Sequence, residues 1–196
     1  MSIKKSLPTL KTISSAVVAL TLISPLANAA NYTLTGGLTK VHSTTFNTDV
    51  GISPRPSGID SGTVNVNVNT STGAVSFSSG ADIVLSDFTG SISFLGTTRF
   101  DAVDTAVTTN VGVSGTLDSS RSVHMTSVSA SPAVSVDPTF TNCSGIACAF
   151  LGLVDLNLST YSVDIQFNAN FTRFTGTLSG VTSNGSTMEM QITGVR

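Results

Sequence analysis

The feature that most constrains the fold of this chain is a strict alternation of apolar and polar residues. In the segment TVNVNVN, residues 63–69, valines fall on one side of an extended chain and asparagines on the other. This period of two is the pattern of a half-buried β-strand, and a slip of one residue would turn asparagine into the core. The asparagine side is a candidate polar interaction face. The predicted core residues are Val64, Val66 and Val68, and the outer residues are Asn65, Asn67 and Asn69.

The same alternation recurs along the chain, with turn signals about every ten residues. That spacing is typical of antiparallel β-sandwiches and β-barrels. We therefore predict an all-β fold, a single antiparallel β-sandwich or closed β-barrel of roughly ten strands. The other alternating segments are AVSFS (74–78), SISFL (91–95), NVGVSGTL (110–117), SVHMTSVS (122–129), YSVDIQFN (161–168) and STMEMQITG (186–194).

Local signals predict turns and two departures from this pattern. The glycine-containing segment 70–73 and the pair Asn184-Gly185 favour hairpins. Residues 51–62, with two prolines and three glycines, are expected to form a surface loop or connecting arm. Residues 145–159 are almost continuously apolar, and periodicity alone does not decide the conformation of 145–153. We favour a buried strand from about Leu153 onward, and the pattern also allows a short helix before it.

The N-terminus has the three parts of a secretory signal: a basic start, a short apolar stretch and a small-residue exit. We expect residues 1–29 to be removed and residues 30–196 to form a single all-β domain. The protein would then be periplasmic, secreted or on the cell surface, in a Gram-negative bacterium. The apolar stretch, 13–26, falls short of the ~20 residues that span a bilayer, so we expect no membrane span. The signal residues are Lys4, Lys5 and Lys11, then Ala27 and Ala29 before the cut at Ala30.

Composition argues against several classes of partner. From Ala30 onward, six basic residues stand against eleven acidic ones, a net charge of −5. Nucleic acid is therefore an unsuitable partner, because phosphate binding needs clustered lysine and arginine. Serine and threonine make up 51 of these 167 residues. Sparse charge with many hydroxyl groups is typical of exported β-proteins.

The two cysteines lie close together in the segment NCSGIAC. In an oxidising compartment, a local disulfide between Cys143 and Cys148 is the expected state. Its expected role is to hold a turn. A redox site would favour a C-x-x-C spacing beside a helix.

The inventory of catalytic side chains is small, and we expect no catalytic, metal or cofactor site. The chain after residue 29 has one lysine, one glutamate and two histidines, which lack the spacing of metal ligands. It has no G-x-S-x-G motif and no D-x-D-x-D-G calcium loop. These side chains are Lys40, Glu189, His42 and His124.

Three functions remain, and the sparse inventory favours the first. It is an exported, non-enzymatic β-protein with a structural, adhesive or surface-interaction role, whose partner is another surface protein or a carbohydrate. The second is a β-barrel carrier of a small apolar ligand. The third is a hydrolase that uses His124 or His42. The carrier hypothesis places four side chains around a cavity: Phe77, Phe94, Phe167 and Met190.

Overall fold

Antiparallel strands occupy most of residues 27–128 and 132–196, which are the residues that the computed structural model describes. The all-β prediction is confirmed. The first 26 residues of the predicted signal lie outside this description. The strands are β1 (Ala27–Ser43), β2 (Thr48–Asp49), β3 (Gly51–Ser53), β4 (Ile59–Asn69), β5 (Ala74–Phe77), β6 (Asp82–Leu85), β7 (Phe88–Ser93), β8 (Thr97–Thr109), β9 (Val113–Thr116), β10 (Ser122–Val128), β11 (Val134–Ser144), β12 (Leu158–Phe167), β13 (Arg173–Thr182) and β14 (Thr187–Val195).

Strand β4 contains the alternating segment, and its valines face the core as predicted. Val66 is fully buried, and Val64 and Val68 are almost so. Burial of three valine side chains contributes on the order of 5 kcal/mol before chain entropy is subtracted. One edge of β4 pairs with β1, and the other pairs with β5 and β6. The strand is therefore central, and a register slip would disturb both edges.

The long strand β1 closes the sheet around the core. Its first half, residues 27–33, pairs with β4, and residues 33–42 pair with β14. From β14 the pairing continues through β13, β12, β11, β8 and β6 and returns to β4. Eight strands therefore form a continuous circuit. Both chain ends of the described fold lie in this circuit, because β1 and β14 are neighbours.

Two consecutive glycines allow β1 to pass between its partners. Gly36 has φ 128° and Gly37 has φ 156°, backbone angles that residues with a side chain rarely adopt. A Cβ at Gly36 would collide with the carbonyl of Gln191, and one at Gly37 would collide with the backbone of Gly58. Both positions therefore require glycine for conformation and for close approach of backbones.

Aromatic rings fill one part of the core. Phe174 lies at its centre, with ring centroids 5.2 Å from Tyr32, 5.6 Å from Phe77 and 5.7 Å from Phe167. The tilted and edge-to-face geometry of these pairs is the favourable one for aromatic rings. The cluster joins β1, β5, β12 and β13, so it holds together strands that are distant in sequence.

A β-bulge interrupts the pairing of β8 with β11. Ala106 pairs with Asp137 and Val103 pairs with Thr139, so two residues of β8 stand opposite Pro138. The first, Asp104, has φ 50° and is exposed, whereas the second, Thr105, is buried. A bulge shifts the alternation of inward and outward side chains by one residue. Here the shift directs the hydroxyl group of Thr105 into the core and leaves the carboxylate of Asp104 outside.

The apolar run after β11 forms a 3-10 helix, Ile146–Leu153, and not a strand. A strand begins only at Leu158, so the expectation of one from Leu153 is wrong. The Cα atoms of Cys143 and Cys148 are 5.8 Å apart. Five extended residues would span roughly 16 Å, so closure between the cysteines requires a turn or helix.

The expectation of a loop at residues 51–62 is also wrong in part. Residues 51–53 form β3, which pairs with β7, and β4 begins at Ile59. Only the proline-containing centre of the segment lies outside strands. Proline has no N–H for a ladder, which explains why pairing stops there.

Candidate functional site

The outer face of β10, β12, β13 and β14 is concave and carries many polar side chains. Two adjoining grooves of about 370 and 540 Å³ cross it. His124 lines both grooves and therefore stands at their junction. The first is lined mainly by Lys40, His124, Thr126, Thr160, Ser162, Ser179, Thr187 and Glu189, and the second by Thr116, Asp118, Ser122, His124, Asp164, Gln166 and Thr175.

His124 is the central member of a hydrogen-bonded chain of three side chains. Pairing of β10 with β12 places His124 opposite Asp164, and the ring Nδ1 donates to Asp164 Oδ1 at 2.5 Å. On the other side, Nε2 lies 3.0 Å from the hydroxyl of Thr126. With the proton on Nδ1, the neutral ring accepts a hydrogen bond from this hydroxyl. An acid, a histidine and a hydroxyl thus stand in the order of a catalytic triad, although both His124 and Asp164 are exposed.

Hydroxyl groups and one pair of opposite charges line the rest of the first groove. Ser162 and Ser179 are cross-strand partners with hydroxyl oxygens 3.0 Å apart. Lys40 and Glu189 are cross-strand partners on β1 and β14. Since each hydroxyl can both donate and accept, this groove offers a ligand many hydrogen bonds with little net charge.

The second groove is more acidic. Asp118 accepts hydrogen bonds from the Ser120 hydroxyl at 2.7 Å and from the backbone N–H of Ser122 at 2.9 Å. These bonds, the hydroxyl bond first, hold the pKa of Asp118 below its ordinary value. Asp118 and Asp164 therefore make this end of the face unsuitable for an anionic ligand.

The second histidine lies apart from both grooves. His42 Nδ1 is 2.8 Å from Asp49 Oδ1, across the pairing of β1 with β2. The hydrogen bond from His42 is the main cause that lowers the pKa of Asp49. His42 lines neither groove. The structure therefore does not bring the two candidate histidines into one site.

The predicted asparagine face has three members in three different environments. Asn65 donates to the side-chain oxygen of Asn31 at 2.9 Å. The side-chain oxygen of Asn69 accepts from the backbone N–H groups of Ser71 and Thr72, both at 3.1 Å, and so stabilises the following turn. The side-chain oxygen of Asn67 is buried without a partner. Of the three, Asn65 is exposed and the other two are half-buried, so the face is less regular than the alternation suggests.

The cysteine and metal predictions concern other regions. The Sγ atoms of Cys143 and Cys148 lie at bonding distance at the start of the 3-10 helix. Within residues 27–128 and 132–196, no three His, Cys, Asp or Glu side chains are grouped so that they could hold a metal ion.

The side chains proposed to line a carrier cavity mostly pack against each other. Phe77, Phe167 and Met190 are buried in the core, and the ring of Phe94 packs 5.3 Å from that of Phe46. Phe77 borders a cavity of about 20 Å³, which exceeds the space for one water molecule only slightly. These four residues do not enclose a ligand-sized space.

Sequence reasoning singled out His124 but missed its partners. Thr126 lies two residues after His124 on the same strand, so alternation alone predicts that the two side chains share a face. Asp164 is 40 positions further along the chain, and its approach depends on the register of β10 with β12. Alternation shows that Asp164 faces outward but not which strand lies beside it.

Two further observations bear on the class of protein. No helix in the part of the chain that the structure describes has the length and apolar character needed to cross a membrane. No family model matches the chain, and searches of curated proteins and of solved structures find no match either. Its function must therefore be argued from its own geometry.

Proposed function

We propose that this is an exported, non-enzymatic protein that binds a polyhydroxylated surface, such as a polysaccharide, through the grooved face of β10, β12, β13 and β14. The observation that carries the proposal is the hydroxyl-lined groove of about 370 Å³. It offers Ser, Thr, Lys, Glu and His side chains around a shallow depression. Hydroxyl groups that donate and accept suit a ligand made of hydroxyl groups.

Three features favour this role over the carrier. The four side chains assigned to a carrier cavity enclose no ligand-sized space, the outer face is rich in hydroxyl groups, and formal charge is low. The stapled 3-10 helix and the signal-like N-terminus suit a protein that works outside the cytoplasm. Rigid strands hold the groove side chains in place, which lowers the entropy lost on binding.

Loss of two groove hydroxyls tests the proposal. The double variant Ser162→Val, Ser179→Val removes a cross-strand pair from the groove with little change of shape. Its matched control is Ser76→Val, Ser114→Val, the cross-strand pair on β5 and β9. Retention of the purified protein on immobilised polysaccharides is measured for both variants.

We expect the groove variant to bind about 10- to 30-fold more weakly, since two net hydrogen bonds of about 1 kcal/mol are lost. The control variant should bind like the wild type. Weaker binding of the control alone would show that the polysaccharide contacts the face of β4, β5 and β9 near Asn65 instead. Absence of binding to every polysaccharide would reject a polyhydroxylated partner.

The chain of Asp164, His124 and Thr126 supports a second candidate, a hydrolase. Here His124 would act as a general base towards a hydroxyl group or water, and Asp164 would orient its ring. Turnover of p-nitrophenyl acetate is the assay. We expect His124→Ala to abolish any turnover and His42→Ala, the matched control, to retain it. Equal rates in both variants and wild type would eliminate this candidate.

A further inference from the structure

A second cavity lies beneath the 3-10 helix, away from the proposed polar face. It measures about 40 Å³ and is enclosed by side chains of β1, β7, β8, β11 and the helix. Almost every lining side chain is apolar. They include Leu38, Phe88, Ile92, Phe100, Val136 and Leu151.

One lining residue is polar, and its hydroxyl group has no partner. Thr105 is 2% exposed, and its Oγ1 makes no hydrogen bond. The bulge opposite Pro138 is what turns this side chain inward in place of Asp104. Bulges recur next to binding sites because they redirect one side chain without altering the strand. An unpaired buried hydroxyl is destabilising, so its retention here calls for a compensating partner.

Water is a poor occupant of this space. The cavity of about 40 Å³ would hold about three water molecules, but a buried water usually makes about three hydrogen bonds. Thr105 is the only side chain in the apolar lining that offers one, and Pro138 has no N–H. An apolar molecule with a single oxygen atom matches the lining better, because it needs one hydrogen bond and otherwise apolar contact.

The 3-10 helix is attached loosely enough to act as a lid. Its buried side chains are Ala147 and Leu151, and the Ala147 N–H donates to the Thr98 hydroxyl at 3.0 Å. Three other apolar side chains of the helix face solvent: Ile146 (58% exposed), Phe150 (43%) and Leu153 (66%). Elements with few buried contacts open at low free energy. A raised helix could therefore enlarge the cavity and cover a ligand with apolar surface, while the cysteine pair keeps it tethered.

We propose that this cavity binds a small, mainly apolar molecule that carries one hydrogen-bonding oxygen atom, with Thr105 as its polar contact and the 3-10 helix as the lid. The cavity and the first groove share only Met188 in their linings, and the site does not depend on the function proposed for the grooved face.

Benzyl alcohol and toluene test the proposal, because they share a ring and differ in one hydroxyl group. Binding is followed by titration of methyl chemical shifts in the folded protein. We expect saturable binding of benzyl alcohol, with the largest shifts at Leu151 and Val136. Toluene should bind about tenfold more weakly, the effect of one hydrogen bond of about 1.4 kcal/mol.

Thr105→Val is the decisive variant, since valine has nearly the same shape without the hydroxyl group. It should reduce benzyl alcohol affinity to that of toluene and leave toluene affinity unchanged. The variant should also raise the urea midpoint of the empty protein, because an unpaired buried hydroxyl is removed. Non-saturable shifts, shifts centred outside this lining, or a preference for benzyl alcohol that persists in Thr105→Val would overturn the proposal.

Discussion

Two tyrosine hydroxyls reach from the core to backbone carbonyl groups far away in sequence. Tyr161 donates to the carbonyl of Val111, and Tyr32 donates to that of Phe171. Both rings are buried, and burial raises the pKa of each hydroxyl. For Tyr161 the pKa rises to about 12 from an ordinary 10.0. The fold therefore favours the neutral form of both side chains.

This shift predicts a loss of stability in alkali. Stability from Tyr161 is complete below pH 10, where both folded and unfolded states hold the proton. As pH rises towards about 12, the unfolded state releases its proton first, so the free energy of unfolding falls. Tyr161→Phe should flatten this fall and, at neutral pH, lower the free energy of unfolding by about 1 kcal/mol. Urea unfolding from pH 8 to pH 12 measures both effects.

Tyr32 still contributes to the alkaline loss of stability in Tyr161→Phe. The measurement therefore compares how steeply the free energy of unfolding falls with pH in the variant and in the wild type. Equal slopes in wild type and Tyr161→Phe would show that Tyr161 does not contribute. The carbonyl partners of the two tyrosines were not predictable from sequence. Alternation within YSVDIQFN places Tyr161 on the inner face, but Val111 belongs to a loop 50 residues earlier.

At the scale of strands, alternation decides which substitutions matter. Val66 and Asn65 are neighbours on β4, and they point to opposite faces. Val66→Ala should lower the free energy of unfolding by about 2–3 kcal/mol, through lost burial and the cavity left behind. Asn65→Ala should change it by no more than about 0.5 kcal/mol. Chemical denaturation of the two variants checks the contrast. Comparable losses would contradict the face assignment.

A second prediction at this scale concerns the disulfide at the start of the 3-10 helix. Replacement of Cys143 and Cys148 by serine frees a loop with a sequence separation of 5. The chain-entropy relation gives a loss of about 2 kcal/mol for so short a loop. Hydrogen exchange should accelerate most in residues 146–153, and the central strands should change least. Two titratable thiols in the unfolded wild-type protein would contradict a bonded pair.

The same pair bears on residues 145–153, whose conformation the apolar pattern left open. Hydrophobicity alone allows either a helix or a buried strand there. Yet the predicted disulfide already excluded an extended chain between its cysteines, because five residues in a strand reach too far. The hairpin predicted at Asn184-Gly185, by contrast, is confirmed. It forms as the four-residue loop 183–186, since Asn184 Oδ1 accepts from the Thr182 hydroxyl and the Ser186 N–H.

For the whole molecule, the fold class was predictable and the order of strands was not. Successive strands such as β4 and β5 or β13 and β14 pair through short turns, as their turn residues indicate. The pairs β1–β14, β6–β8 and β8–β11 join strands without such turns or far apart in sequence. Any alternating strand offers a similar edge, so the pattern does not select these partners. The grooved face depends on that order, and this is why its full set of residues escaped prediction.

The seam at which β1 closes the sheet on β4 includes residues of the predicted signal. Residues 27–29, expected to leave with the signal, pair with Asn67–Asn69 on β4. After a cut before Ala30, four pairs from Ala30 to Thr33 remain at this seam. The pairing of β1 with β14 lies wholly beyond the cut and is unaffected. A chain cut before Ala30 should therefore keep its closed circuit with a shorter first strand.

Intact-mass spectrometry of the exported protein tests this expectation. The measured mass should equal that of residues 30–196 less two hydrogen atoms, because the cysteines are bonded. Reduction and alkylation should then add two labels. A variant with Ala29→Leu should be processed poorly, since the peptidase site needs a small residue, whereas Asn28→Leu should be cut normally. A chain that retains residue 27 would show that the predicted cut is wrong and would keep the residues of all seven pairs with β4.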